Sequence, residues 1–497
     1  LDGNGMSIEA GCRNSHRSNP HPISISLYGN ALLNLDTLLS HNAVIGKLKG
    51  MAAHHNIVNC RAAVAVGSCP LHSIYKDLCA NNITIYNDAE SLVQMRHHLV
   101  LAVALKVERH LIRATELVTL DKESGSGSCG HLKNKHIARK KLTQEEIRAE
   151  VIALQDMGHK RLALEAGEHP LMNPIEYILE SINTIYSIKH RNGAIRRVNV
   201  NIAATTVENY RRLRDAGIGT YILFQETYNK ANYEALHPTG PKKDYAWHTE
   251  AMDRAMQGGI DDVGIGVLFG LDTYRYDFVG LLMHAEHLEA TYGVGPHTIS
   301  VPRLCKADDV DTADFENAVP DDIFYKIVAI IRIAVPYTGM IISTRESAKS
   351  RERLLELGIS QISGGSRTSV GGYVTEETPD ENSAQFDIAD HRTLDEVVQW
   401  LLDLNHIPSF CTACYREGRT GDRFMTLLKN GQISNCCLPN ALITLKEYIR
   451  DYASPATREK GEAMIKRLLA DVPNERARSK AAEYLERIDN GEMDFRF

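Results

Sequence analysis

DVGIGVLFG, residues 262–270, is an apolar run punctuated by glycines that reads as a short strand. Similar runs flank it: ELVTL (116–120), RLALEAGE (161–168), RRVNVNI (196–202) and TYILFQET (220–227) on one side, HTISVPRL (297–304), GMIISTRE (339–346) and QISGGSRT (361–368) on the other. Between them lie amphipathic stretches such as TQEEIRAEVIALQDMG (143–158), which opens on a capping box, Thr143 with Glu146, and closes at Gly158. Eight strands alternating with helices predict an α/β fold, a parallel (β/α)8 barrel of TIM type. A doubly wound open sheet would give the same alternation.

The 497-residue chain is long enough to bury a large core, and its net charge of −7 gives no electrostatic argument for nucleic acid or an anionic membrane. No apolar run approaches the ~20 residues of a membrane span. Cysteines in metal-like spacing without a secretory signal point to a reducing compartment. Residues 10–35 lack acids and carry Arg13, Arg17 and several serines, a composition shared by transit peptides and by ordinary disordered N-termini. Residues 1–128 match nothing familiar; a helical pattern stands out only near 89–113, and KESGSGS (122–128) reads as a flexible loop.

Past the last strand the text changes to an irregular stretch and then to CTACYREGRTGDRFM (411–425) and GQISNCCLPNA (431–441). Cys411 and Cys414 share one turn, and Cys437 can close a third corner. Three thiolates with an open fourth position describe an iron-sulfur cluster better than a closed zinc site. A thioredoxin-like redox pair would account for Cys411 and Cys414 alone. Cys436 reads as a small buried hydrophobe.

These segments resemble the C-terminal cluster segment of the HydG family, FeFe-hydrogenase maturases that are radical S-adenosylmethionine tyrosine lyases. The resemblance runs from about Cys129 to the C-terminus. It implies a complete radical-adenosylmethionine barrel over 116–375, a mainly helical auxiliary iron-sulfur domain over 376–497, and an unassigned segment 1–115, either a transit peptide or a faulty translation. It also implies cleavage of L-tyrosine to p-cresol and dehydroglycine, with the fragment converted to CO and cyanide for hydrogenase assembly. The implied cofactors are S-adenosyl-L-methionine, a radical 4Fe-4S cluster and an auxiliary cluster with an extra iron. The implied partners are a scaffold maturase and an electron donor such as ferredoxin or flavodoxin, in the cytoplasm or an organelle matrix (plastid, mitochondrion or hydrogenosome). Two alternatives are a 2-iminoacetate synthase of thiazole synthesis and a catalytically degenerate iron-sulfur scaffold.

In a parallel barrel, polar residues at strand C-terminal ends ring one mouth, although a single such residue is more often a cap. The resemblance gives Gly167 and Glu168 to the amino group of adenosylmethionine, and Asn199, Asn201 and Arg254 to its ribose and carboxylate. Gln225 and Glu226 join the cofactor ring. The glycine run with Gly266 and Leu268 lets backbone approach adenine. Ser343 and Arg345, the catalytic-site candidates, match the pair that grips the tyrosine carboxylate, Arg through a planar fork. Cys129 aligns with the last thiolate of the Cys-x-x-x-Cys-x-x-Cys radical motif, whose other two positions fall on Lys122 and Ser126. Neither can replace a thiolate on iron. Either everything before Cys129 is foreign to a genuine body, the reading the intact substrate-side residues favour, or the homologue lacks radical activity. The family's extra iron is held by a His, here His287 near the end of the helix after the fifth strand, with His297 at the next strand's start as the alternative.

Overall fold

The computed structural model describes residues 140–169, 171–304, 316–367, 370–374 and 388–497. The expected first strand, the 89–113 helix, Cys129, Lys122 and Ser126 lie outside them.

The other seven expected strands are present: β1 (Arg161–Glu165), β4 (Arg197–Asn201), β5 (Tyr221–Ile222), β6 (Val263–Gly266), β7 (Thr298–Ser300), β8 (Gly339–Ile342) and β9 (Gln361–Ile362). Two further strands, β2 (Lys189–His190) and β3 (Gly193–Ala194), form a separate small hairpin. The seven pair in parallel in the order β1-β4-β5-β6-β7-β8-β9. A doubly wound sheet reverses its order at a switch point. This one never does, which decides for barrel-type winding.

The sequence runs overshoot the strands. Residues 220–227 yield only Tyr221–Ile222, and Glu226 adopts a left-handed φ of 67° that no strand accommodates. Most of the polar residues expected at strand ends therefore sit on the loops above them.

Helices cover the outside. α1 (Gln144–Asp156) has the expected reciprocal cap: Thr143 Oγ1 accepts from Glu146 N, and Glu146 Oε2 accepts from Thr143 N. Gly158, at φ 93°, stops it where an added Cβ would meet Tyr448 at 2.8 Å, so the turn and the close approach both need glycine. The strands explain their own orientation. In β4, Val198 and Val200 are fully buried against the helical layer, while Asn199 and Asn201 are half-buried on the opposite face. Burying each valine contributes about 1.5–3 kcal/mol, so a one-residue slip that exchanged the faces is strongly disfavoured.

The C-terminal region is mainly helical. α10 (Leu394–Asp403) opens on a second capping box, Thr393 with Glu396. α13 (Ser434–Asp451), α14 (Pro455–Leu469) and α15 (Glu475–Asp489) pack around Leu442, Ile443, Ile449, Ile465 and Ile488. The helix α11 (Ala413–Arg416) and α12 (Gly421–Lys429) set the cysteine turn against the barrel, where Gly421 N donates to Asp262 Oδ1 at 3.2 Å. Among the described residues no helix is long and apolar enough to cross a membrane.

Candidate active site and cysteine turn

Because all seven strands run parallel, the loops after them share one rim. Register places Glu165 opposite Asn201, Ala163 opposite Asn199 and Arg161 opposite Arg197. At the upper end burial raises the Glu165 carboxyl, while the Asn201 side chain and the charge of Arg345, from the loop after β8, act to lower it. Three strands thus converge on one point. Glu165 was not among the expected residues; only the barrel pairing reveals it.

The remaining upper-rim candidates fall into two groups. Gly167 and Glu168 follow β1 directly, and the Gly167 carbonyl accepts from Asn173 Nδ2 at 2.7 Å. Ser343 Oγ accepts from Arg345 N at 3.4 Å, beside a loop anchored by Glu346. Asn199 Oδ1 accepts from Thr220 N at 3.1 Å, so Asn199 also ties β4 to β5. Gly266 lies where a Cβ would come within 2.8 Å of the Ser300 carbonyl and of Phe224, so the close packing of these groups on the strand needs glycine there. Leu268 is buried, with its N–H on the Glu226 carbonyl at 2.9 Å.

The second group is more fully committed inside the protein. Gln225 is buried and donates to Thr249 Oγ1 at 2.9 Å. Burial would raise the Glu226 carboxyl, but the Lys242 ammonium 2.6 Å away outweighs it and holds the group below the usual carboxylate range. Arg254 sends Nε to the Thr205 carbonyl at 2.9 Å and another donor to the Trp247 carbonyl, and stacks on the Trp247 ring at 3.7 Å.

The lower end of the barrel meets the cysteine turn. Arg197 stacks on Tyr415 with 3.5 Å between guanidinium carbon and ring centre. Thr220 Oγ1 accepts from Arg197 Nη2 and lies 3.2 Å from the Tyr415 hydroxyl. Cys411 and Cys414 are half-buried, and burial raises both thiols, with Arg419 acting against it at Cys414. Burial is the main cause that raises the Cys437 thiol, and the charges of Cys414, Cys411 and Cys436 add to it.

Among the described residues, no three His, Cys, Asp or Glu side chains converge as a site for one metal ion. A cluster asks for something different, since each thiolate binds its own iron and the thiolates stand further apart. The donor set of Cys411, Cys414 and Cys437, with Arg419 beside it, fits such an anionic group.

The two histidine candidates have different surroundings. His287 is half-exposed on the helix α7 (Tyr274–Tyr292), with Nε2 bonded to Asp253 at 2.7 Å. The His that packs against the cysteine turn is His297, whose ring centre lies 5.8 Å from that of Tyr415 and 5.0 Å from that of Phe424. Its Nδ1 is buried without a hydrogen bond; Asp262, 3.4 Å away, is not aligned to accept one.

Residues 124–281 match the Radical SAM superfamily, and residues 300–407 match the Biotin and Thiamin Synthesis associated domain. A solved structure titled as HydG, a maturase of the [FeFe]-hydrogenase, is 54% identical, covers 75% of this chain and 81% of its own, and superposes with a TM-score of 0.73. HydG from Carboxydothermus hydrogenoformans is 34% identical over 91% of this chain and 99% of its own, with a TM-score of 0.63. The 2-iminoacetate synthases of Salmonella typhimurium and Escherichia coli are each 30% identical over 248 residues, and the match spans 63% of their length. The match to the Radical SAM superfamily, over a sheet of sequentially wound parallel strands, places the chain among radical adenosylmethionine proteins. Within that class, the chain belongs to the HydG family.

Proposed function

We propose that the protein is a radical adenosylmethionine lyase that cuts the Cα–Cβ bond of L-tyrosine, giving p-cresol and dehydroglycine, and that the fragment yields CO and cyanide at the cysteine turn for hydrogenase assembly. One observation carries the reading: in a single barrel Glu165 lies opposite Asn201 at one rim, and the segment with Cys411, Cys414 and Cys437 packs on the barrel at the other. Adenosylmethionine with its 4Fe-4S cluster would supply the hydrogen-abstracting radical. Arg345 and Ser343 would hold the tyrosine carboxylate, and Asn199, Asn201, Gly167, Glu168 and the Gly266–Leu268 backbone would hold the cofactor. The curved seven-stranded sheet would help to shield the reacting carbon from water. Cys411, Cys414 and Cys437 would bind the auxiliary cluster, with His297 on the extra iron. A scaffold maturase would accept the product, and ferredoxin or flavodoxin would donate electrons.

Lys122 and Ser126, where the radical motif needs thiolates, favour a second reading as a non-catalytic iron-sulfur scaffold. The 2-iminoacetate synthase reading has the 30% relatives behind it but gives the thiol turn no role. Anaerobic reconstitution with an iron count and a p-cresol assay separates them. With the present sequence we expect one auxiliary cluster and no p-cresol; restoring both cysteines should restore p-cresol. Failure of the restored chain to cut tyrosine, with both clusters loaded, would leave the scaffold reading.

A further inference from the structure

After α15 the chain turns away at Gly491, whose φ is 96°, and residues 492–497 belong to no helix or strand. Their hold on the protein is therefore made of individual contacts, and the side chains alternate in direction. Phe495 stacks on Tyr484 of α15 with 4.3 Å between ring centres, and Phe497 meets the same ring edge-on at 5.5 Å. Asp494, Arg496 and the Phe497 carbonyl engage the cysteine turn instead.

Each charged residue of 416–419 is taken up by this segment. Arg416 donates from both Nη atoms to the Asp494 carboxylate, from Nη2 at 2.5 Å. Glu417 accepts from Arg496 Nε, and Arg419 Nη2 donates to the Phe497 carbonyl. Arg419 N in turn donates to the Cys414 carbonyl at 2.7 Å, so the hold extends into the turn itself. Phe497 also closes a two-bond clasp with Asn440: its N–H donates to Oδ1 at 3.0 Å, and its carbonyl accepts from Nδ2 at 3.4 Å. Asn440 is buried and lies three residues after Cys437 on α13, a spacing that shares one helix face. A single residue thus joins the helix of Cys437 to the turn of Cys411 and Cys414.

The anchor is Asp494. Besides Arg416 it takes Arg196 Nε at 3.1 Å, just before β4, and its N–H donates to buried Glu447 at 2.5 Å. Its φ of 67° is a left-handed conformation that Asp and Asn adopt more readily than most residues.

We propose that residues 491–497 are a latch on the auxiliary-cluster site. Closed, the latch fixes the turn of Cys411 and Cys414 relative to Cys437; open, it lets iron in and out. The proposal rests on the reading that these three thiols hold an iron-sulfur cluster. Opening breaks ion pairs and hydrogen bonds but unravels no helix or strand ladder, so salt favours it. Linkage makes the effect reciprocal: a latch that retains iron is itself held shut by iron.

The test uses the full chain, reconstituted anaerobically. Asp494→Asn removes the charge and keeps a residue suited to the left-handed backbone. Arg496→Glu sets two carboxylates side by side, and Glu417→Arg with Arg496→Glu restores the pair in reverse. Exposed Arg211→Ala is the control. Iron stripping by a chelator is timed, and hydrogen exchange of 491–497 is measured with and without iron. Stripping should be about tenfold faster in Asp494→Asn, about threefold faster in Arg496→Glu, near wild type in the exchanged pair and unchanged in the control. Salt should speed it more in wild type than in Asp494→Asn, and iron should slow exchange of the latch. Should Asp494→Asn not fold, Arg496→Glu and its exchanged pair decide. Equal stripping in all folded variants, or latch exchange indifferent to iron, would overturn the proposal. A chain that takes up no iron would remove the cluster reading alone. Alkylation of Cys411 and Cys414 by iodoacetamide then decides for the latch: faster in Asp494→Asn supports it, an equal rate overturns it.

Discussion

Arg303 grips Glu346 through two hydrogen bonds of 2.7 Å, Nε to Oε1 and Nη2 to Oε2. The pair joins the loop after β7 to the loop after β8. Glu346 is nearly fully buried and also accepts from Ser350 Oγ at 3.1 Å. Ser343 and Arg345 lie on the segment this pair pins.

Glu346→Gln should therefore cost stability and tyrosine binding together. Breaking a buried pair outright costs about 3–5 kcal/mol, and the loss here should be smaller because Arg303 keeps Asp321 and the Val319 carbonyl. Urea unfolding should show the stability loss, and calorimetry should show tyrosine affinity falling while adenosylmethionine affinity holds. Unchanged tyrosine affinity in a destabilised variant would make the pair purely architectural.

Arg345→Lys tests the substrate end more directly. Loss of a bidentate partner for a buried carboxylate weakens tyrosine binding by about 2–5 kcal/mol, with adenosylmethionine binding little changed. Equal loss for both ligands would mean that Arg345 only caps a barrel strand.

Asp277 provides a pH signature. Burial raises its carboxyl to about 8, against the Tyr228 N–H and Thr227 hydroxyl that each donate to Oδ1 at 2.8 Å. The folded state then keeps a proton that the unfolded state releases near pH 4, so the contribution to stability is greatest below that value and is lost as pH rises through about 8. Buried His159, His248 and His284, lowered to about 4, act oppositely and only below their usual value near 6.5. Between pH 6.5 and 8 the slope should be negative in wild type and flattened in Asp277→Asn. Parallel slopes in the two proteins would show Asp277 to be ionised throughout.

The strand order was legible because each barrel strand is a short apolar run ending in polar residues, and every expected run within the described residues became a strand. The hairpin of β2 and β3 was missed because its strands are two residues each; Arg191-Asn-Gly193, with Arg191 at φ 51°, was its one turn signal. The lower rim was hidden for a different reason. Arg197 and His297 open strands and read as ordinary boundary residues. Their meaning comes from Tyr415, more than a hundred residues away in sequence, and no local pattern carries that contact. The upper rim was readable in part because parallel winding alone dictates where loops go. It could not say that Gln225 and Arg254 are held by internal hydrogen bonds.

The last prediction separates the two ends of the barrel. In a chain with cysteines restored at Lys122 and Ser126, tyrosine cleavage would use upper-rim groups, while Cys437 and His297 lie by the turn beneath. Cys437→Ser should still release p-cresol and yield no iron-carbonyl product. His297→Ala should behave the same way while the remaining auxiliary iron stays bound, because the three thiolates are untouched. His287→Ala should leave both products, since that ring bonds Asp253 on the helical exterior. The measurements are p-cresol by chromatography, bound carbonyl by infrared absorption and iron by count, on one preparation of each variant. If His287→Ala lost the carbonyl product and His297→Ala kept it, the iron ligand would be the helical histidine. Parallel loss of p-cresol and carbonyl in both Cys437→Ser and His297→Ala would mean that the lower rim also shapes the tyrosine site, and the division of work between the two ends would be abandoned.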